Sequence, residues 1–193
     1  MKRAIDKGDI LPMDVYGQER KARRTEMVAL KKDRRLQVGP NATLHFESFE
    51  TMLYQVHEML FTERGGDEQV LDELMAYNPL IPKGNELVAT LMLEMEDPIR
   101  RAKFLAQLGG IEEHISLDFG DQQVKASWER DIDRTTPDGK TSSVHFLHFH
   151  FTPEQVMAFR QPGARIVAAI AHPNYGHMAI LTEAMRESLA KDL

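Results

Sequence analysis

Between His114 and Phe151 the chain carries three candidate strands: His114 to Phe119 and Gln122 to Trp128, in which apolar and polar residues alternate, and Ser143 to Phe151. Alternation with a period of two is the signature of a strand with one face buried. Gly120-Asp121 separates the first two stretches and predicts a hairpin. Pro137-Asp138-Gly139 precedes the third and predicts a turn, with proline pre-setting φ and glycine free to take φ > 0. Three such strands in succession predict an antiparallel meander, which fixes the fold class more firmly than any other segment.

Around this meander the pattern alternates between helix and strand. Gln18 to Leu36 is rich in Arg, Lys, Glu, Met and Leu and stops at Gly39-Pro40, so it predicts a helix with a narrow apolar stripe at Met27 and Leu30. Thr43 to Phe46 predicts a short strand. Phe49, Leu53, Val56 and Leu60 recur at helical spacing up to Gly65-Gly66, and Glu68 to Tyr77 predicts a further helix with Val70, Leu71 and Leu74 inward. Glu86 to Glu96 ends in alternation and reads as a strand, with Leu91, Leu93 and Met95 on one side. Asp97-Pro98 opens a helix running to Gly109-Gly110, the carboxylate capping free N–H groups and proline occupying the first helical position. Thr152-Pro153-Glu154-Gln155 opens another with a capping box. Ile166 to Ala171 predicts a buried strand, and Pro173 is expected to open a C-terminal helix with Met178, Leu181, Met185 and Leu189 facing the core. Without a regular βαβ rhythm the class is α+β, a mainly antiparallel sheet packed with five to six helices.

At 193 residues the chain suits one domain with a real hydrophobic core. It has no cysteine, which excludes disulfides, thiolate metal ligands, iron–sulfur ligation and a cysteine nucleophile. The start, MKRAIDKGDILPMDVYG, has no apolar stretch after its basic residues, and no apolar run approaches the roughly 20 residues of a membrane span. A cytoplasmic protein of bacterial type is expected. Charge is uneven: residues 1–35 hold eleven Lys or Arg against six Asp or Glu, and residues 36–193 hold thirteen against twenty-four. This predicts a basic helical arm, residues 1–36, on an acidic α+β domain, residues 37–193. The arm is expected to pack on the body by complementary charge, with nucleic acid or an acidic partner as the alternatives, and an oligomer stays open.

Common catalytic signatures are missing. Gly139-Lys140-Thr141 looks like the end of a phosphate-binding loop, but the glycine needed five positions earlier is Arg134 and the segment leads into a strand. The densest chemical feature is Val144-His145-Phe146-Leu147-His148-Phe149-His150-Phe151. On a strand His148 and His150 share one face and His145 projects from the other with Leu147, Phe149 and Phe151. Two imidazoles on one face suit a divalent transition metal, with a third ligand sought at His172, His177 or Glu94. Glu154 completes an H-x-H-x-x-x-E spacing, though a helix start intervenes. The plainer reading makes His148 and His150 half-exposed sheet residues and His145 a satisfied core histidine. Around His172-Pro173-Asn174-Tyr175 the expected helix start suggests docking of a small anion.

The segments His45-Phe46-Glu47, Gln55 with Glu58-Met59-Leu60, Glu63-Arg64, Tyr77-Asn78-Pro79-Leu80-Ile81-Pro82, Asp138 to Leu147 and His172-Pro173-Asn174-Tyr175 resemble the bacterial domain of unknown function 3501 family along most of the chain. The resemblance implies a redox or oxidative-stress setting, with rubrerythrin-like or iron–sulfur proteins as partners. The family pattern has arginine where this chain has His148, whereas His145, Glu47, Glu58 and His172 fit it and become site candidates. Two functions stay open: a non-catalytic accessory or binding protein in that setting, or a metal-binding protein or metal-dependent enzyme using His145, His148, His150, His172, Glu47 and Glu58.

Overall fold

The computed structural model describes residues 2–128 and 139–193. Among these residues it has six α-helices and eight strands: α1 Met13–Lys32, β1 Arg35–Gln37, β2 Ala42–Phe46, α2 Phe49–Glu63, α3 Gly66–Tyr77, β3 Glu86–Leu93, α4 Pro98–Leu105, β4 Ile115–Phe119, β5 Gln122–Ser127, β6 Val144–His150, α5 Pro153–Arg160, β7 Val167–His172, β8 Tyr175–Ile180 and α6 Glu183–Leu189. The strands form one sheet in the order β1-β2-β3-β6-β5-β4-β7-β8. Every described pairing is antiparallel, and the predicted meander is β4-β5-β6. The class is α+β, as the patterning predicts.

The alternation along β3 and β6 divides their residues between two apolar layers. Leu87, Ala89 and Leu91 of β3 and Leu147 and Phe149 of β6 enter the main core, on the concave side of a barrel-like sheet, together with Leu181, Met185 and Leu189 around α6. Val88 and, less deeply, Phe146 point the other way, into a second cluster with Ile5 and with Met52, Val56 and Leu60 of α2. Part of the outer face of β3 and β6 is thus covered by the N-terminal segment and α2.

The two ends of the sheet meet through Tyr175 of β8. Its hydroxyl donates to the Val38 carbonyl at 2.8 Å and accepts from the Asn41 N–H at 3.0 Å. Gly39, between them, has φ +76°, and a Cβ there would lie 2.5 Å from the His177 ring, so only glycine lets the edges approach. Tyr175→Phe removes both bonds in a buried setting and is expected to cost about 1–3 kcal/mol, read as a lower urea midpoint at unchanged m-value.

The N-terminal segment is tied to the rest of the molecule. Tyr16 is fully buried, stacked on His57 with ring centroids 4.8 Å apart. The predicted helix from Gln18 to Leu36 is shifted: it spans Met13–Lys32, and Leu36 lies in β1, paired with Leu44. Strand pairing and burial of Leu36 override its helix propensity. Leu71, expected inward, is exposed, while Val70 and Leu74 pack on the second cluster. Helix α4 stops at Leu105, short of Gly109-Gly110.

The largest correction concerns the C-terminus. Pro173 does not open a helix; Pro173-Asn174 is the turn between β7 and β8, closed by the pair His172 and Tyr175. Met178 sits on the exposed face of β8 with 72% of its surface open, and the final helix starts after the Thr182 cap. Leu181, Met185 and Leu189 do face the core. With a hairpin in place of a helix start, the anion site expected at His172-Pro173-Asn174-Tyr175 loses its basis. Pro137 and Asp138 of the predicted turn lie outside the described residues.

Candidate metal centre

Glu86 opens β3 and stands directly opposite His150 of β6, while His148 faces Val88 one step along the same side. Parity then places Glu86, His148 and His150 together on the outer face, at the end of the strands away from Leu93. One ligand atom from each of the three lies within 4.8 Å of the others. His148 Nδ1 is 3.0 Å and His150 Nδ1 3.3 Å from Glu86 Oε2. A carboxylate oxygen only accepts, so His148 donates its Nδ1–H. The two imidazoles run nearly parallel, 15° apart with centroids separated by 6.0 Å.

Burial makes this arrangement consequential. The Glu86 side chain is only 6% exposed, and a carboxylate out of water is costly unless it is paired. Burial pushes its pKa up, but the His148 hydrogen bond and the charges of His148 and His150 outweigh this and hold it below the ordinary carboxylate value. His148 is 16% and His150 61% exposed, so the group opens toward solvent on the His150 side. Two histidines and one carboxylate with open positions form a ligand set for borderline divalent metals.

A family model described as a protein of unknown function, DUF3501, matches residues 4–193. The chain belongs to the DUF3501 family. It is similar to the crystal structure of a novel protein of unknown function from Burkholderia pseudomallei, with 34% sequence identity, 98% of this chain and 99% of that chain covered, and a TM-score of 0.91. No curated protein matches it. No helix among the described residues is long and apolar enough to cross a membrane.

The remaining candidates of this DUF3501 chain lie apart from the cluster, each held by its own neighbours. His145 faces the core. Its Nε2 donates to the Ser142 carbonyl at 2.9 Å, and its Nδ1 is 3.5 Å from Glu112 Oε2. His172 is bonded to the Gly109 carbonyl and to the Asn174 N–H, with its ring edge-on to His114. Glu47 accepts from the hydroxyls of Thr51 and Thr90. Glu58 accepts from the Tyr16 hydroxyl at 2.6 Å and takes the Arg20 fork, which holds its carboxyl below the ordinary range. Glu94 accepts from Thr43, His177 packs on Tyr175, and Glu154 stays exposed in the first turn of α5. An apolar cleft of about 680 Å³ between the N-terminal segment, α2 and α3, lined by Ile10, Met13, Leu60, Phe61 and Val70 among others, holds none of the candidates.

Glu86 is the member of the cluster that sequence reasoning missed. The strand containing it is legible, and its parity puts it with Val88 and Thr90 on one face. Its partner is 62 residues away, however, and only the β3-β6 pairing brings His148 beside it. The usable signal was a carboxylate at the start of an otherwise apolar strand, where burial demands a partner.

Proposed function

We propose that this protein binds a divalent transition metal through Glu86, His148 and His150. The observation that supports the reading is the convergence of three ligand atoms from two paired strands on one point, with the carboxylate nearly dry. Strands are stiffer supports than loops, and register fixes the spacing of all three groups before any ion arrives. Because a metal binds imidazole in its neutral form and carboxylate in its ionised form, protons compete with it for the same three groups and uptake weakens in acid.

The test is metal titration, with elemental analysis, of protein purified without an affinity tag. Wild type is expected to take up one equivalent of zinc, cobalt or nickel. His150→Ala, a change at an exposed side chain, is expected to lower affinity by at least ~100-fold, since even partners outside the ligand shell are worth 10–100-fold. Glu86→Ala and His148→Ala should behave alike. Wild type holding less than ~0.1 equivalent, with no uptake on titration, defeats the proposal.

A further inference from the structure

The three side chains do not fill a metal's coordination sphere. Among the described residues no other His, Asp or Glu joins the group, whereas borderline divalent ions take at least four donors. The unfilled side is the one that His150, 61% exposed, leaves to solvent, because Glu86 closes the opposite side. A site of three protein ligands and one open position is the arrangement through which bound metals engage exogenous ligands.

The charge around that opening sets the kind of ligand. A divalent ion on one carboxylate and two neutral imidazoles keeps a net positive charge. Two more cations meet at the loop that leads into Glu86, Lys83 on the loop and Arg3 laid across it from the N-terminal segment. Lys83 Nζ donates to the Arg3 carbonyl at 2.7 Å and the Asn78 carbonyl at 2.9 Å, pinning the N-terminal segment across the loop. The Arg3 guanidinium lies on Gly84, two residues before Glu86, so close that a Cβ at Gly84 would be 1.4 Å from Nη1. Gly84 also has φ +101°, a conformation open to glycine, so the loop admits the guanidinium by having no side chain there. Arg3 is exposed and, among the described residues, makes no ion pair.

We infer that the open face of the Glu86-His148-His150 centre takes a small oxyanion, a carboxylate or phosphate group, on the bound metal, drawn in by Arg3. The inference rests on the metal reading above, and the experiment separates the two. Untagged full-length protein is loaded with Co(II) and its visible absorption followed while azide, acetate or methyl phosphate is added. The expected result is a saturable spectral shift with azide and displacement of azide by acetate or methyl phosphate; the more effective competitor distinguishes carboxylate from phosphate. Arg3→Gln should leave Co(II) affinity unchanged and weaken anion binding by about tenfold, an effect that shrinks with added salt. Co(II) uptake with no spectral response to any of the three anions overturns this inference and leaves metal binding intact. Unchanged anion affinity in Arg3→Gln overturns the role of Arg3. Failure to take up Co(II) overturns the metal reading itself, and this inference with it.

Discussion

Removing residues 1–35 is expected to leave an insoluble or unfolded chain. The deletion takes away Ile5, which is buried in the second apolar cluster, and Tyr16, which is wholly enclosed and stacked on His57. Burial of an apolar side chain of the size of Ile5 is worth about 1.5–3 kcal/mol, and an aromatic contact such as Tyr16-His57 adds about 0.5–1.5 kcal/mol beyond area. The deletion also exposes the faces of Met52, Val56 and Leu60 that this segment covers, removes Arg34 from a buried ion pair, and takes away the β1 residue that pairs with His45. Domains of this size are stable by only about 5–15 kcal/mol, so the combined loss approaches the whole margin. Expression of residues 36–193 followed by circular dichroism and urea unfolding checks the outcome. Division of the chain into a basic arm, residues 1–36, and a body, residues 37–193, makes the opposite forecast. A soluble fragment with a cooperative transition would therefore establish the arm as a detachable extension.

The contrast shows which parts of the molecule the sequence could express. Helix α2 and the meander were legible because their periodicities are strong and local: Phe49, Leu53, Val56 and Leu60 at helical spacing, and the unbroken alternation of His114 to Phe119. Strand β8 was not. Its inward residues Tyr175, His177 and Ala179 contrast weakly with Gly176, Met178 and Ile180 outside, and Met178, Leu181, Met185 and Leu189 happen to fall at three- and four-residue intervals. Pro173 suits a helix start and a tight turn equally well, and the pairing with β7 decides between them. The basic arm was similarly ambiguous. Its composition suggests a solvated helix, yet its few inward residues include the most completely buried tyrosine and a buried arginine. In the candidate site, the face shared by His148 and His150 follows from strand parity alone. The third member of the cluster, Glu86, and the separate employment of His145, His172, Glu47 and Glu58 depend on which strands and helices become neighbours, information carried by long-range register and packing rather than by any local pattern.

Arg34→Met is the point substitution expected to cost most, about 3–5 kcal/mol at neutral pH, the range for leaving one partner of a buried ion pair uncompensated. Arg34 follows α1 and is 4% exposed; its guanidinium donates to the carbonyls of Phe46 and Glu47 at 3.0 and 2.8 Å and to the carboxylate of Asp192 near the C-terminus. It thereby joins α1, the β2-α2 link and the segment after α6. Met matches the length of the side chain but supplies no donor, so two buried carbonyls and Asp192 lose their partner together. Asp192 is the more exacting group, because its other oxygen has no hydrogen-bond partner in the structure. Burial pushes its carboxyl above the ordinary value, with Glu50 adding to the rise and Arg34 opposing it. Removing Arg34 removes the main opposition, so the folded pKa rises further above the unfolded one. A carboxyl shifted in that direction contributes stability that is present below its unfolded pKa and is lost as pH rises through its folded pKa. The deficit of Arg34→Met relative to wild type should therefore be smallest in acid and grow toward neutral pH. Adding Asp192→Leu should recover a large part of it at neutral pH and flatten the pH dependence, because an apolar pair leaves no buried charge behind. Urea midpoints of the wild type, the single variant and the double variant, measured between mildly acid and neutral pH, check both statements. A deficit that is constant across that range would place the cost in the unpartnered carbonyls of Phe46 and Glu47 instead of in Asp192.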